Sequence, residues 1–226
     1  MSRLSARLFN HVQGAAFYTG LHRQAVELLP PGGGRRWFDV GCGPGLVTRL
    51  AAERGYRATG FDVDPAMIAQ ARRNAPSVQF VLAGLAELAH SGRKADVVSA
   101  ASLLAVLGDR PKALQHLLSC LTDDGVLLVI EPSGRMTPTA AWAALSRGNL
   151  GARASMLMPW AWTRREGNAV EEATLRLRGH HTRGTELLDG MVVAWTVQKA
   201  TPVAPLGRDL QTSIGRESHH QPHLTA

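Results

Sequence analysis

A turn rich in glycine, directly after a short apolar run, most strongly constrains what this chain can fold into. The run is Trp37–Val40, and the turn reads Asp39-Val40-Gly41-Cys42-Gly43-Pro44-Gly45. Glycine is required where the backbone adopts angles that a Cβ disfavours, or where a ligand approaches the main chain closely. A helical pattern follows the turn, and the N-terminus of a helix would point its free N–H groups at such a ligand. The turn therefore predicts a strand–turn–helix unit that binds a small molecule.

Short β-like runs alternate with helical stretches along the chain, a pattern that predicts a parallel sheet with helices on its faces. The predicted strands are Trp37–Val40, Arg57–Phe61, Val78–Leu82, Asp96–Ala100 and Val126–Ile130, the last entered from a turn at Asp123-Asp124-Gly125. The predicted helices are Leu8–Leu29, Leu46–Arg54, Pro65–Asn74 and Lys112–Leu121. Five strands with intervening helices define a doubly wound α/β sheet.

The rhythm changes on either side of this unit, which predicts the domain organisation. Residues 1–34 form an N-terminal helical cap that stops at the breaker cluster 30–34. Residues 35–201 form the main domain, with 133–165 as an insertion that covers a substrate. Two further β-like runs, Glu172–Arg178 and Met191–Gln198, close this domain. Residues 202–226 are polar and without pattern, and we expect a disordered tail.

Composition limits the broad class of the protein. The 226 residues are 45% hydrophobic and 19% charged, which suits one α/β domain with a sizeable core. Cys42 and Cys120 are the only two cysteines, too few for a disulfide framework or a cysteine-rich zinc site. We therefore expect no metal and a cytoplasmic location. No apolar run approaches the roughly 18 residues of a membrane-spanning helix, so we expect no membrane insertion.

The positive charge of the chain does not follow the pattern of a nucleic-acid binding protein. The formal net charge is +7, but the arginines are scattered singly or in pairs such as Arg35-Arg36 and Arg72-Arg73. Neither a basic run nor interleaved aromatic residues accompany them. We interpret them as a solvated surface, which disfavours nucleic acid as a partner, and the oligomeric state stays open.

Two aspartates narrow the ligand of the glycine turn. Asp39 comes directly before the turn, and Asp62 ends the second predicted strand, about 20 residues past the glycines, where a carboxylate accepts hydrogen bonds from ribose hydroxyls. At Asp39 the carboxylate would face a cationic or hydrogen-bond-donating group. The dehydrogenase spacing G-x-G-x-x-G would place glycine at position 46, where this chain has Leu46. A nucleoside that carries an amino acid matches both aspartates.

The motifs DVGCGPG and GFDVDPAMI resemble those of the class I S-adenosylmethionine-dependent methyltransferases, small-molecule branch. The resemblance covers 36–132 most strongly. It implies a Rossmann-like, doubly wound, seven-stranded and mostly parallel sheet that ends in an antiparallel C-terminal hairpin. It also implies S-adenosylmethionine as cofactor and a cytoplasmic enzyme.

The same resemblance assigns the cofactor-binding residues. Asp39 and the backbone around Gly41 and Gly43 would hold the methionine portion, Asp62 the ribose, and Val63 and Met67 would pack near the adenine. Gly84 stands where the family usually has an aspartate that accepts a hydrogen bond from the adenine amino group. The Ala100 carbonyl, at the end of the fourth predicted strand, would meet the amino group of the cofactor. The complete set is Asp39, Gly41, Cys42, Gly43, Asp62, Val63, Met67, Gly84, Leu85 and Ala100. Cys42 is small enough to pack between loop and sheet, so we do not interpret it as a reactive thiol.

No motif fixes the acceptor side of the site. If the acceptor atom is a hydroxyl, a general base near it lowers the barrier. Candidates for that base are His11, Tyr18, Glu131 and His181. We expect the segment 138–162, with its Trp142, Trp160, Trp162, Met156 and Met158, and the N-terminal helix to form an acceptor wall. Such a wall favours a small, apolar or aromatic acceptor, methylated on oxygen or nitrogen.

Two other functions stay open from the sequence. A methyltransferase of RNA or protein would use the excess of arginine, and its binding would depend steeply on salt. A non-catalytic or nicotinamide-binding domain would keep the same fold. Titration with S-adenosylmethionine and with NAD distinguishes the nicotinamide alternative from the two methyltransferases.

Overall fold

The computed structural model describes residues 14–163, 170, 172–176 and 179–200. The first half of the chain runs α1 (Ala16–Glu27), β1 (Arg36–Val40), α2 (Leu46–Glu53), β2 (Arg57–Asp62), α3 (Pro65–Asn74), β3 (Gln79–Leu82) and α4 (Leu85–His90). The second half runs β4 (Ala95–Ala101), α5 (Arg110–Ser119), β5 (Leu121–Pro132), α6 (Pro138–Ser146), α7 (Leu157–Thr163), α8 (Glu172–Leu175), β6 (His180–Leu187) and β7 (Val192–Lys199). Short 3₁₀ turns lie at Leu104–Val106 and Ala154–Met156.

The strands form one seven-stranded sheet in the order β3-β2-β1-β4-β5-β7-β6. Neighbours among the first five strands are parallel, whereas β7 pairs antiparallel with both β5 and β6. This topology confirms the predicted doubly wound sheet with an antiparallel C-terminal hairpin. The strand order reverses between β1 and β4, and open α/β sheets bind ligands at such a switch point, outside the carboxyl ends of the strands.

Each face of the sheet carries its own hydrophobic core, because successive side chains of a buried strand point to opposite faces. In β5, Leu128 and Ile130 face a core with α1, α2, α6 and α7, while Leu127 and Val129 face a core with α4, α5 and α8. The second face includes Leu114 and Leu117 on α5. Burying a Leu or Ile side chain stabilises the fold by about 1.5–3 kcal/mol, so the two cores fix the sheet.

Helix α1 joins the first core through residues at helical spacing: Phe17, Tyr18, Leu21, Ala25 and Val26 are buried. The helix ends before Pro30 and Pro31, and the chain then enters β1, so α1 runs from the carboxyl edge of the sheet toward its amino edge. The sequence predicts a helix from Leu8, and residues 8–13 lie outside the described residues. The predicted tail, 202–226, lies outside them as well.

The prediction of a strand at Glu172–Arg178 is wrong. Glu172–Leu175 is the helical turn α8, and the hairpin strand β6 begins at His180. An ion pair between Glu172 and Arg176, 2.9 Å long, links one turn of the helix to the next. Strand β6 pairs with β7 on one side only and is largely exposed, so it lacks the apolar residues that mark a buried strand.

The predicted turn at Asp123-Asp124-Gly125 is also corrected. These residues lie inside β5, where the register with β4 shifts between the pairs Ala95↔Leu121 and Val97↔Val126. The strand therefore begins five residues earlier than the predicted Val126 and absorbs the polar residues as an irregularity.

None of the helices in the described part of the chain is long and apolar enough to cross a membrane.

Candidate functional site

The glycine turn lies at the carboxyl edge of the sheet, beside the switch point. Gly41, Gly43 and Gly45 all have positive φ, at +69°, +52° and +87°. A Cβ on Gly41 would lie 2.9 Å from Leu103 Cδ1, and one on Gly45 would lie 2.7 Å from the Phe80 ring. Both the dihedral angles and the lack of space therefore require glycine here.

The end of β2 holds this turn in place. The N–H groups of Gly41 and Cys42 both donate to the Phe61 carbonyl, at 2.8 and 3.0 Å. The Asn74 side chain donates to the Pro44 carbonyl at 2.9 Å. The turn is thus hydrogen-bonded to two neighbouring elements, which fix its shape.

Asp62, for which the resemblance predicts contact with the ribose, lies at the end of β2 and holds the glycine turn. Its Oδ2 accepts a hydrogen bond from the Gly43 N–H at 2.8 Å, and its Oδ1 accepts one from the Asp64 N–H at 2.9 Å. The carboxylate is only half-buried. Since a carboxylate offers about four lone-pair sites, two acceptor positions are left for hydroxyl groups of a ligand.

Apolar side chains lie exposed next to Asp62. Val63 is 73% exposed and Leu82, the last residue of β3, is 52% exposed. A Cβ on Gly84 would lie 3.3 Å from Val63 Cγ1, so the absence of a side chain at position 84 leaves room above Val63. Leu85 is half-buried and Met67 is buried on α3. The predicted adenine residues therefore lie at one place, and their role in binding stays a prediction.

Asp39 lies deeper than the sequence suggests. It is 1% exposed, with Oδ2 accepting from the Thr48 hydroxyl at 2.7 Å and Oδ1 from the Ser99 hydroxyl at 2.8 Å. Trp37 Nε1–H donates in turn to the Ser99 oxygen at 2.8 Å. Burial raises the pKa of Asp39 to about 6, and the hydrogen bonds from Thr48 and Ser99 oppose that rise. Asp39 therefore joins β1, β4 and α2 beneath the turn, and direct contact with a ligand stays a prediction.

Cys42 packs inside the turn. It is 7% exposed, and a Cβ on Gly60 would lie 2.9 Å from its sulfur. Burial raises the pKa of the thiol far above its usual range, and the charges of Asp39 and Asp62 add to the rise. The group is therefore a protonated thiol at neutral pH, consistent with a packing role.

The turn after β4, residues 102–106, forms a rim against the glycine turn, because a Cβ on Gly41 would lie 2.9 Å from Leu103 Cδ1. The sequence does not predict a role for Ser102 in this rim. Ser102 has φ +54°, uncommon for a residue with a side chain, and its N–H donates to the Ile130 carbonyl at 2.8 Å. Ala100 lies buried beside Val40. The next turn ends at Val106, which is 53% exposed, so the rim presents an apolar side chain to the solvent.

The three candidates for a general base that the structure describes are not brought together. Glu131 is fully buried, and its Oε1 accepts from the Leu104 N–H at 2.7 Å, so it holds the rim turn. Tyr18 is 2% exposed, with its ring 5.3 Å from that of Trp160. His181 is exposed on β6 and pairs with Gln198, at the amino edge of the parallel strands, opposite the glycine turn. His11 lies outside the described residues.

The N-terminal helix and the segment after β5 pack against each other. The Ala16 N–H donates to the Ala152 carbonyl at 3.0 Å, and the Phe17 and Trp160 rings lie 6.1 Å apart. The tryptophans divide into two groups: Trp160 belongs to the core, whereas Trp142 and Trp162 are 67% and 58% exposed. Because α1 starts at the carboxyl edge, this contact lies at the same edge of the sheet as the glycine turn.

A comparison with protein families decides the identity of this fold. Residues 10–181, well over half of the chain, match the model of a family described as "Methyltransferase domain". The chain belongs to this methyltransferase family. The resemblance to the class I S-adenosylmethionine-dependent methyltransferases is confirmed, and the family implies S-adenosylmethionine as cofactor.

Curated proteins resemble this chain over part of their length. Trans-aconitate 2-methyltransferase of Escherichia coli (strain K12 / DH10B) is 39% identical over 122 residues, which are 52% of this chain and 48% of that protein. The chain thus matches about half the length of such curated relatives.

Solved structures share the fold. The plantazolicin methyltransferase BpumL in complex with SAH has a TM-score of 0.62 at 11% identity, covering 88% of this chain and 91% of its own. A TehB-like SAM-dependent methyltransferase from Corynebacterium glutamicum has a TM-score of 0.52 at 17% identity, covering 79% and 86%.

Two buried groups, His22 and Asp39, predict opposite pH dependences of the stability of this protein. Burial lowers the pKa of His22 from 6.5 to about 4, while its Nδ1–H donates to the Tyr18 carbonyl at 2.8 Å. Between these pH values the imidazole takes up a proton only in the unfolded chain. The contribution of His22 to the free energy of unfolding is therefore greatest above pH 6.5 and is lost as the pH falls to 4. The pKa of Asp39 is raised from 3.8 to about 6, so the folded protein keeps this proton at pH values where the unfolded chain has lost it. The contribution of Asp39 to the free energy of unfolding is therefore greatest below pH 3.8 and is lost as the pH rises to 6.

The single variants separate the two effects. Relative to the wild type, we expect His22→Gln to gain stability as the pH falls from 6.5 to 4. Asp39→Asn should gain as the pH rises from 3.8 to 6, each change being of the order of 3 kcal/mol. Urea denaturation across this range measures both, and stability curves parallel to that of the wild type would contradict the assignment.

Proposed function

We propose that this protein transfers a methyl group from S-adenosylmethionine to a small acceptor with an apolar or aromatic body. The observation that carries the proposal is the grouping at one edge of the sheet of the glycine turn, the Asp62 carboxylate and the exposed Val63 and Leu82. These groups match an adenosine that carries an amino acid: an apolar surface for the base, acceptors for ribose hydroxyls, and backbone for the amino-acid end.

Within this proposal, each part of the turn has a distinct task. Asp62 binds the ribose hydroxyls while it holds Gly43 through the 2.8 Å hydrogen bond. Val63 supplies the apolar surface for the base, with the space above it left by Gly84. Asp39, buried under the turn, places a negative charge near the cationic end of the ligand once its carboxyl is ionised.

S-adenosylmethionine supplies an electrophilic methyl group, so the chain has chiefly to align the acceptor and exclude water. The apolar rim at Val106 and the packed pair of α1 and the α6–α7 segment are the elements that would do so. The exposed side chain of Trp142 on α6 offers an aromatic surface to the acceptor body. This assignment of the acceptor wall rests on position and exposure.

The buried candidates for a base favour an acceptor atom that needs none. Tyr18 is 2% exposed and Glu131 is fully buried, so neither offers an oxygen to a molecule at the rim. His181 lies at the opposite edge of the sheet. Because none of the candidates among the described residues reaches the rim, we propose an acceptor atom that is already nucleophilic at neutral pH, a carboxylate oxygen or a neutral amine. The name of the relative trans-aconitate 2-methyltransferase supports a small carboxylate among the acceptors to be tried.

A panel of acceptors with detection of S-adenosylhomocysteine tests the proposal. The panel contains small carboxylates, including trans-aconitate, aromatic amines, phenols, an RNA mixture and a protein mixture. We expect release of S-adenosylhomocysteine with a small carboxylate or amine that carries an apolar body. Turnover with RNA or protein alone would contradict the proposal and favour a macromolecular acceptor. Turnover limited to phenols would contradict the proposal of an acceptor atom that needs no base.

A further inference from the structure

A cleft with a volume of about 370 Å³ opens at the amino edge of strands β1, β2 and β3. Arg36 and Arg57 are the first residues of β1 and β2, and Arg93 lies in the loop before β4. All three line this cleft. The glycine turn follows the opposite end of β1, roughly 15 Å away along a five-residue strand, so the cleft is separate from the candidate methyltransferase site.

The guanidinium groups of this cleft have no carboxylate partner among the residues that the structure describes. Arg36 and Arg57 are paired directly across the parallel ladder, where neighbouring strands lie about 4.8 Å apart. Like charges at such positions repel and destabilise the sheet. Asp96 is the acidic residue beside them, and its Oδ2 accepts a hydrogen bond from the Arg36 backbone N–H at 2.7 Å.

The guanidinium of Arg93 lies against two buried aromatic rings. Its guanidinium carbon lies 5.2 Å from the ring centroid of Phe38 and 5.3 Å from that of Phe61. Both phenylalanines are buried, and their rings meet edge to face at 5.2 Å. A cation stacked on two fixed rings loses little freedom when it binds an anion.

Neutral hydrogen-bonding groups and a few apolar side chains form the rest of the lining. Ser77 and the Gln79 and Thr59 side chains border the cleft, and Thr59 donates to Gln79 at 3.2 Å. Arginine forks recognise phosphate oxygens in pairs, and a volume near the low end of ligand pockets fits a small molecule.

We propose that this arginine cleft binds a small phosphate-bearing molecule. The two repelling guanidiniums of β1 and β2 and the stacked one of Arg93 would close on its phosphate oxygens. This inference is independent of the proposed methyl transfer, because it concerns the other edge of the sheet and is tested by binding alone.

Calorimetry with pyrophosphate as the probe, at about 0.15 M salt, tests the proposal. We expect saturable binding that Arg57→Glu weakens by about tenfold or more, since a charge-assisted contact is lost and a repulsion added. Arg183→Glu is the matched control: Arg183 is exposed on β6 at the far edge of the sheet, and it changes the net charge equally. We expect the control variant to bind pyrophosphate with the affinity of the wild type. This affinity should be the same with and without S-adenosylmethionine.

Other outcomes overturn the proposal. Absence of saturation, or equal weakening by both variants, would mean that the cleft is only part of a general positive surface. Citrate binding as tightly as pyrophosphate would overturn the assignment to phosphate. An oligoribonucleotide that binds at this edge and is not displaced by pyrophosphate would mean a nucleic-acid track. Arg57 is exposed and Arg57→Glu removes its repulsion with Arg36, so a melting temperature at or above that of the wild type shows that any loss of binding is local.

Discussion

Replacing Gly43 with valine is expected to abolish binding of S-adenosylmethionine. Gly43 has φ +52°, where a β-branched residue is strained by about 1–3 kcal/mol. Its N–H is also the group that Asp62 holds at 2.8 Å, so a shift of the backbone breaks that tether. The turn would then lose both its shape and the space into which a ligand fits. Calorimetric titration of the purified variant measures the loss.

Gly92→Val is the matched control for backbone strain. Gly92 has φ +69°, and a Cβ placed there meets no atom within 4 Å. It lies in the loop between α4 and β4, at the other edge of the sheet. We expect Gly92→Val to lower the free energy of unfolding by a similar amount while cofactor affinity stays unchanged. Normal binding by Gly43→Val would mean that the turn does not cradle the cofactor.

Asp62→Ala is expected to weaken S-adenosylmethionine binding by about 10- to 150-fold, because a hydrogen bond to a charged group contributes about 1.5–3 kcal/mol. The substitution removes the acceptors for the ribose hydroxyls and also releases the Gly43 N–H. Because both effects weaken binding, we expect the loss of affinity to lie toward the upper end of this range. Calorimetry on the folded variant gives the affinity.

Asp64→Ala separates this effect from the local fold. Asp64 caps α3, its Oδ1 accepting from the Ala66 N–H at 2.8 Å, and removing such a cap costs about 0.5–2 kcal/mol of stability. Its carboxylate makes no hydrogen bond to the glycine turn among the described contacts. We expect lower thermal stability and near-normal cofactor affinity. If the two variants bound the cofactor equally well, Asp62 would be a structural residue only.

Local signals explain which elements of the fold could be predicted. Helix α3 spans Pro65–Asn74, as the sequence predicts, because Asp64 is a good N-cap and Pro65 fits the first turn. Strand β6 could not be found in the same way. It is a largely exposed edge strand, and its pairing with β7 depends on contacts along the whole hairpin rather than on its own apolar pattern.

In the candidate site, too, the residues that are close in sequence could be predicted, whereas contacts between distant residues could not. The glycine turn and Asp62 are adjacent to the strand ends that position them, so the sequence places them correctly at the carboxyl edge. The groups that hold the site are distant in sequence: Ser99 donates to Asp39 across 60 residues, and Glu131 accepts from Leu104 across 27. No spacing rule connects such pairs, since the register of β1 with β4 and of β4 with β5 brings them together. The positive φ of Ser102 likewise follows from the rim and not from its residue type.

A pair of calorimetric titrations of the wild-type protein, one with S-adenosylmethionine and one with NAD, tests the cofactor assignment most directly. We expect saturable binding of S-adenosylmethionine with one molecule per chain and no heat of binding with NAD. Binding of NAD in place of S-adenosylmethionine, or of neither, would contradict the assignment of the glycine turn, Asp62 and the exposed Val63 surface to this cofactor.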